Sequence, residues 1–409
     1  MKKSFFYGYV IVFIVFILQT VMFGPQASFG VFIKPLATEF DWSRALIAGA
    51  FSMSNLVQGF STLITGWLND RLGPRIILTI CGVLVGAGLM LMYLVDSAWQ
   101  LYLFYAVLIG IGMGGISAPQ MSTIARWFVK RRNIATSALF VGGGFGGFVG
   151  PPLITWLIYT HSWREAFLFV GIGAFIIIIL AAQFLRRDPS QMGQVPYGKG
   201  SETKGWDAPI NVSGLSIKQA LNTRKFWLFA ITGFCVGFCL NAPMVHIVPY
   251  AIDRGISPAN AALILSSMNV ALPVGSVSVG LIADKIGSRR AFLTCVCLLS
   301  AITLLSLPVT NPWLLGLFVT VLSLGAGGVV VLISSLIAEL FGMKSHGTIL
   351  GFLLFTCTLG NASGIVIAGY IFDATGSYLW VFLLCGIIVA VAIIMAFLLN
   401  RIRKTEAPA

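Results

Sequence analysis

Charge is what this sequence has least of. Lysine, arginine, aspartate and glutamate make up 10% of its 409 residues, against 58% hydrophobic residues, whereas soluble domains carry about 25% charged residues. That scarcity excludes a soluble globular chain. Acidic side chains number only 13, half the 26 basic ones. No Lys, Arg, Asp or Glu falls in the middle of any long apolar stretch. An enzyme embedded in the membrane needs acid, base and nucleophile to converge at depth; nothing here does, so that class is set aside. No glycine-rich loop ending in Lys-Ser or Lys-Thr occurs, which excludes a P-loop ATPase and leaves an ion or solute gradient to drive any active transport. No cofactor is expected.

Cysteine is absent from the outer loops, where oxidation to a disulfide would be plausible. All seven (Cys81, Cys235, Cys239, Cys295, Cys297, Cys357 and Cys385) fall in apolar stretches. Cys235 and Cys239 share a helical face, but no acid or further ligand accompanies them in sequence, and no metal site is expected.

What is present is a series of apolar runs long enough to cross a bilayer as helices. They fall near 8–33, 45–68, 75–95, 100–125, 134–159, 164–185, 226–251, 259–283, 290–309, 313–338, 347–372 and 378–400. The opening Met1-Lys2-Lys3 precedes a stretch too long for a signal-peptide core and without a clear small-residue cleavage site, so it reads as a retained first helix. Of the 26 lysines and arginines only Lys34, Arg44, Arg164 and Arg254 lie in segments that would be outer. The rest lie in the inner segments and at the termini, which predicts both termini in the cytoplasm by the positive-inside rule. The net charge of +13 is therefore topology; without a contiguous basic face, nucleic acid is not a partner.

The pattern breaks once, between Arg186 and Lys225, where Pro, Gly, Ser and charges collect. The expected organisation is an N-terminal bundle over 1–187, a cytoplasmic linker over 188–225 and a C-terminal bundle over 226–409. The stretch from Leu215 to Trp227 has helical spacing and could lie on the membrane surface. The halves echo one another. Gly66-Trp-Leu-Asn-Asp70-Arg71-Leu-Gly73-Pro-Arg75 returns as Gly280-Leu-Ile-Ala-Asp284-Lys285-Ile-Gly287-Ser-Arg289, and Ala125-Arg126-Trp-Phe128 as Ala338-Glu339-Leu-Phe341. Half-chain repeats are how transporters build a site between halves.

The doubled loop resembles the best-known motif of the major facilitator superfamily. Trp127-Phe-Val-Lys-Arg-Arg-Asn-Ile-Ala-Thr-Ser-Ala-Leu-Phe-Val-Gly-Gly-Gly144, Phe6-Tyr-Gly-Tyr-Val10 and His246-Ile-Val-Pro-Tyr-Ala251 are similar to its monocarboxylate-porter and oxalate–formate branch. The resemblance implies an all-α membrane protein: twelve transmembrane helices in two pseudo-symmetric six-helix bundles, working by alternating access in the cell's inner (plasma) membrane. It implies a small-molecule solute and the lipid bilayer as partners, and a monomer. The expected function is secondary transport of a small organic solute, a monocarboxylate with possible proton coupling by family analogy. The family's cations are missing, however. Ser276 stands where many members have an arginine, Leu272 where animal-type members have an acid, Gln26 where they have a lysine, and Cys357 best matches a helix-eleven lysine. Transport or export of neutral or amphipathic compounds, favoured also by Phe23, Phe29 and Phe32, therefore stays open.

Inside the spans the polar groups are amides: Gln19, Gln26, Asn55, Gln58, Gln120, Asn241, Asn269 and Asn361. Burying an amide in hydrocarbon is costly without a partner. Their distribution predicts that helices one, two, four, five, seven, eight, ten and eleven enclose a polar cavity. The solute-binding candidates are Gln26, Gln120, Asn241, His246, Asn269, Ser276 and Cys357. His246 is the histidine placed within a span, with His161 and His346 placed in loops, and it is the candidate for proton coupling. The inner-loop charges Asp70, Arg71, Arg75, Arg126, Asp284, Lys285, Arg289 and Glu339 are expected to form a cytoplasmic gate, with Asp70 pairing with Arg126 and Glu339 with the basic end of the second motif. Dense glycine in helices four and five, followed by Pro151-Pro152, predicts close packing and a helix pair able to bend.

Overall fold

The computed structural model describes residues 5–198, 214–253, 258–305, 311–375 and 379–401; within the helices, the side chains of 240–266 and a few others are outside that description. The described residues form twelve long helical segments. In the first half they are α1 (Gly8–Phe40), α2 (Arg44–Leu72), α3 (Pro74–Leu94), α4 (Ala98–Trp127), α5 (Arg132–Thr160) and α6 (Trp163–Gln183). In the second they are α7 (Arg224–Asp253), α8 (Pro258–Ile286), α9 (Ser288–Leu305), α10 (Pro312–Phe341), α11 (His346–Thr375) and α12 (Leu379–Arg401). Among the described residues seven segments are long and apolar enough to cross a membrane by length and composition. Contacts group the chain into two compact units, residues 1–130 with 138–208, and residues 131–137 with 209–409.

Local chemistry sets the helix ends. Ser43 and Ser162 accept the first free amides of α2 and α6, from Leu46 and Glu165. Asn311 accepts from Trp313 and Leu314 at the start of α10. Such caps satisfy donors that a helix cannot satisfy itself. The repeated glycine of the inner-loop motif has a backbone reason. Gly73 and Gly287 both turn through positive φ, 83° and 94°, a region that a side chain disfavours, and each hands one helix directly to the next.

Within each unit, helices approach along glycine. In the first unit a Cβ at Gly142, Gly146 or Gly150 of α5 would strike the main chain of Phe16, Thr20 or Gly24 on α1. Gly110 and Gly114 of α4 do the same against α2, at Ser54 and Gln58. In the second unit Gly360 and Gly364 of α11 lie on Phe234 and Phe238 of α7, and Gly275 of α8 and Gly327 of α10 lie on each other's helices. Small residues at four-residue spacing let backbones touch where lipid offers no hydrophobic drive to pack.

Two helices of the first unit are discontinuous. α1 breaks at Ser28, whose Oγ donates to the Gly24 carbonyl at 2.7 Å, three residues past Pro25. α4 is π-helical over Tyr102–Ile109 and turns at Gly115–Ile116. Carbonyls near that turn are taken by α2: Ser61 Oγ donates to Ile111 O at 2.8 Å, and Thr65 Oγ1 to Gly114 O at 3.0 Å. The glycine-rich stretch Gly110–Gly114 is regular helix lying between these two irregularities. α5 continues through Pro151 and Pro152 from Arg132 to Thr160.

The two described ends of the linker are docked. On the first unit, Tyr197 N donates to Trp127 O at 2.9 Å, and its carbonyl accepts from Val129 and Lys130. Trp127 Nε1 donates to Arg186 O, and Phe6, Tyr9, Phe128 and Tyr197 pack ring on ring. On the second, Leu215 N donates to Phe341 O at 2.8 Å, and a short helix, Ile217–Leu221, starts at a reciprocal Ser216–Gln219 cap.

Gly146→Ala should therefore lower stability by about 1–3 kcal/mol, because the added methyl meets backbone that cannot turn aside. Gly147→Ala, whose Cβ would sit 3.6 Å from Phe23, should be near neutral. Thermal unfolding of the two purified variants in detergent checks the pair.

Candidate functional site

The amides of the first unit meet on α1 and α2. Gln26 Nε2 donates to Asn55 Oδ1 at 3.3 Å and to Gln58 Oε1 at 3.2 Å. Asn55 Nδ2 in turn donates to the Phe51 carbonyl at 3.1 Å. All three side chains are half-buried. Gln58 stands at the middle of the 29-residue α2, and Gln26 lies two residues before the break in α1. Close by in sequence, Phe29 packs on Phe51 and on Tyr105 of α4, with centroids 5.3 and 4.3 Å apart.

Gln120 belongs to the second segment of α4, Ser117–Trp127. It is wholly buried, and neither its Nε2 nor its Oε1 has a hydrogen-bond partner among the described residues. Leaving a buried amide unpaired costs about 1–3 kcal/mol per group. Gln19 Oε1 and Ser122 Oγ are in the same condition.

The second unit holds the remaining candidates. Ser276 is buried, and its Oγ donates to Pro273 O in its own helix at 2.7 Å. Cys357 is half-buried on α11, its sulfur against Gly233 of α7. The side chains of Asn241, His246 and Asn269 lie outside the described residues. Cys239, expected without a further ligand, donates its thiol to the Cys385 carbonyl at 3.6 Å; no cluster of metal-binding side chains exists among the described residues. His346 corrects a reading from sequence. It opens α11 rather than sitting in a loop, is fully buried, and bonds through Nε2 to the Ser334 carbonyl of α10 at 3.0 Å.

The inner-loop charges are organised around loop and helix-start partners. In the first unit Arg126, 7% exposed, pairs with Asp188 at 3.2 Å, and Arg187 donates to the Asp70 main-chain carbonyl at 2.8 Å. Arg75 donates to Gln183 at 2.8 Å, and Arg71 lies over the Trp67 ring at 3.9 Å. In the second unit Arg289 and Glu339 approach to 3.8 Å, the pairing expected from the motif. Asp284 accepts from the Asn133 and Ile134 amides at the start of α5, at 3.2 and 3.3 Å, and from Asn133 Nδ2 at 2.9 Å. A carboxylate there both caps the helix and complements its dipole. Lys285 is exposed.

Sequence reasoning counted Asn55 and Gln58 among the amides but did not join them to Gln26, and it missed Asp188 and Asn133 altogether. Each is a short polar residue at a helix boundary, a place that suggests a backbone cap, but their side chains bond to other side chains, Asp188 to Arg126 and Asn133 to Asp284 and Ser288, which sequence position does not reveal.

The pattern that describes the Major Facilitator Superfamily matches residues 12–272 and 240–409. A protein of Bos taurus named Monocarboxylate transporter 13 is 27% identical over 383 residues, 93% of this chain and 86% of its own length. Monocarboxylate transporter 12 of Homo sapiens is 26% identical over 407 residues, 92% of this chain and 78% of its own. Among solved structures, a proton:xylose symporter superposes with a TM-score of 0.73 at 17% identity, over 96% of this chain and 95% of that one.

Asp188→Ala should cost about 1–3 kcal/mol, since it strips a nearly buried guanidinium of a charge-assisted bond. A melting curve of the variant beside Asp188→Asn, which keeps an acceptor and should lose less, checks this.

Proposed function

The chain belongs to the major facilitator superfamily of secondary transporters, and on that premise we propose that it moves a small monocarboxylate across the plasma membrane by alternating access, in symport with a proton. The observation that carries the substrate class is likeness to proteins named monocarboxylate transporters along 93% of the chain. The proposal places both termini in the cytoplasm, from the distribution of basic residues, and takes a monomer as the working unit. Asp70, Arg71, Arg75, Arg126, Asp284, Lys285, Arg289 and Glu339 serve as the cytoplasmic gate in this reading. Surface ion pairs are individually weak, but several that break together bias a two-state equilibrium.

A second reading is favoured by one observation. Ser276 is committed to its own helix and Cys357 carries no charge, so two positions where relatives carry a cation offer none to an anion. Holding a carboxylate without an opposite charge demands hydrogen bonds in place of its hydration. Neutral or amphipathic compounds would meet no such demand.

Purified protein in liposomes separates the two. Uptake of labelled lactate or pyruvate supports the first, and efflux of a hydrophobic dye without carboxylate uptake supports the second. Ser276→Arg, correctly inserted, should raise carboxylate affinity about tenfold or more, the scale of one added charge-assisted contact. Unchanged carboxylate binding in that variant would remove Ser276 from the solute's path.

A further inference from the structure

Three carboxamides gathered midway along two long helices of a membrane transporter need a reason to be there. Gln26, Asn55 and Gln58 are half-buried, and amides left open to hydrocarbon would cost several kcal/mol, so their open sides face a polar space. Their internal bonds leave a defined remainder. Gln26 Nε2 serves both Asn55 Oδ1 and Gln58 Oε1, and Asn55 Nδ2 serves Phe51 O. Among the described residues, the donor Gln58 Nε2 and the acceptor Gln26 Oε1 have no partner. One carboxamide contact of 3.2 Å joins the two side chains that carry them.

We propose that this cluster binds the polar head of the solute in uncharged form, and that a monocarboxylic acid is carried there undissociated, with the transported proton on the solute. The solute's identity rests on the monocarboxylate reading; its protonation state rests on the cluster. An undissociated carboxyl group has the complementary pair: its carbonyl accepts from Gln58 Nε2, and its hydroxyl donates to Gln26 Oε1. A carboxylate has acceptors only. It would gain the Gln58 bond but set its second oxygen against Gln26 Oε1, with no cation to offset the loss of hydration. Carboxylate and proton combine in water outside, cross as one neutral molecule and separate inside, so no side chain changes its charge. The break of α1 at Ser28, two residues on, is the kind of helix discontinuity found at transporter sites near the midplane.

The neighbouring elements supply nothing that contradicts a neutral site. On α4 the Tyr105 phenol packs against Phe29 and Phe51. The charges of α1 and α2 (Lys34, Glu39, Arg44, Asp70 and Arg71) lie toward the helix ends, and α5 is uncharged from Asn133 to Thr160.

The test uses the full chain in liposomes, with lactate and its neutral isostere lactamide as probes. Between about pH 5.5 and 7.5, above a carboxylic acid's pKa of about 4, the undissociated fraction falls about tenfold per unit. The half-saturating total lactate should therefore rise about tenfold per pH unit, while inhibition of lactate uptake by lactamide, expressed as a constant, stays flat. Gln58→Met and Gln26→Met keep length and lose hydrogen bonding, and each should weaken both ligands about tenfold or more, the scale of a lost bond in a buried site. His246→Gln should keep the wild-type slope. A half-saturation independent of pH, failure of lactamide to compete, or a slope abolished in His246→Gln overturns the proposal. If the methionine variants melt early, the wild-type lactate and lactamide profiles decide by themselves. Lactamide binding that Gln58→Met destroys, in a protein that takes up no carboxylic acid at any pH, would refute the acid as solute while leaving a neutral-ligand site in place.

Discussion

Hydrocarbon cannot hydrogen-bond, and the rest of this structure follows from that constraint. A polar atom at depth finds its partner within the protein, faces a polar space or, as at Gln120, stays buried at a cost. The hydroxyls show the first solution. Thr20, Thr62 and Thr123 each donate to the carbonyl four residues back, while Ser61 and Thr65 reach across to α4 where that helix turns. Those cross-helix bonds need the backbones within reach, which is what Gly110 and Gly114 provide against α2. Glycine, hydroxyl and helix irregularity are therefore one arrangement. The glycines bring α4 onto α2, the turn at Gly115 frees carbonyl capacity, and the α2 hydroxyls take it up.

The two halves share this grammar and differ in their polar vocabulary. Gly73 and Gly287 make the same turn, and glycine lines matching helix pairs, α1 with α5 and α7 with α11. The surroundings of the two motif acids differ. Asp284 receives backbone amides at the start of α5, whereas Asp70 is met at its own carbonyl by Arg187, beside the Arg126–Asp188 pair. A repeat conserves the backbone event that only glycine permits more strictly than the partner of a flexible charged side chain. Arg126 and Glu339 make the same point: they occupy matching places with opposite charge and therefore bond to different elements.

Much of this was legible in one dimension. Apolar runs gave the helices, because a bilayer fixes their length, and the doubled motif gave the family. The glycine density of residues 110–115 and 142–150 announced close approach. Partner identity was not legible. Gln26 meets Asn55 and Gln58 only because α1 and α2 have a particular rotation and offset, which an apolar run does not encode. His346 read as loop because the apolar run begins at 347, yet the Ile349 amide bonds to Ser345 O and the histidine turns inward to Ser334. The linker read as a separate segment on composition, but its ends carry Tyr197 and Leu215 in backbone bonds to Trp127 and Phe341, and a main-chain bond leaves no trace in side-chain pattern.

The scarcity of charge that marks the whole sequence also shapes its amide cluster. A fixed cation at depth would hold an anion strongly, but it would also have to be desolvated and neutralised in every state without solute, at several kcal/mol per ion. Amides avoid that requirement. Gln26, Asn55 and Gln58 satisfy one another in part and keep a donor and an acceptor to offer, so the empty cluster is not left with an uncompensated charge. The affinity given up is electrostatic attraction for an anion. On the reading proposed above, the gain would be a carrier whose empty and loaded forms differ little in charge, so that neither carries an unpaired ion while it changes conformation.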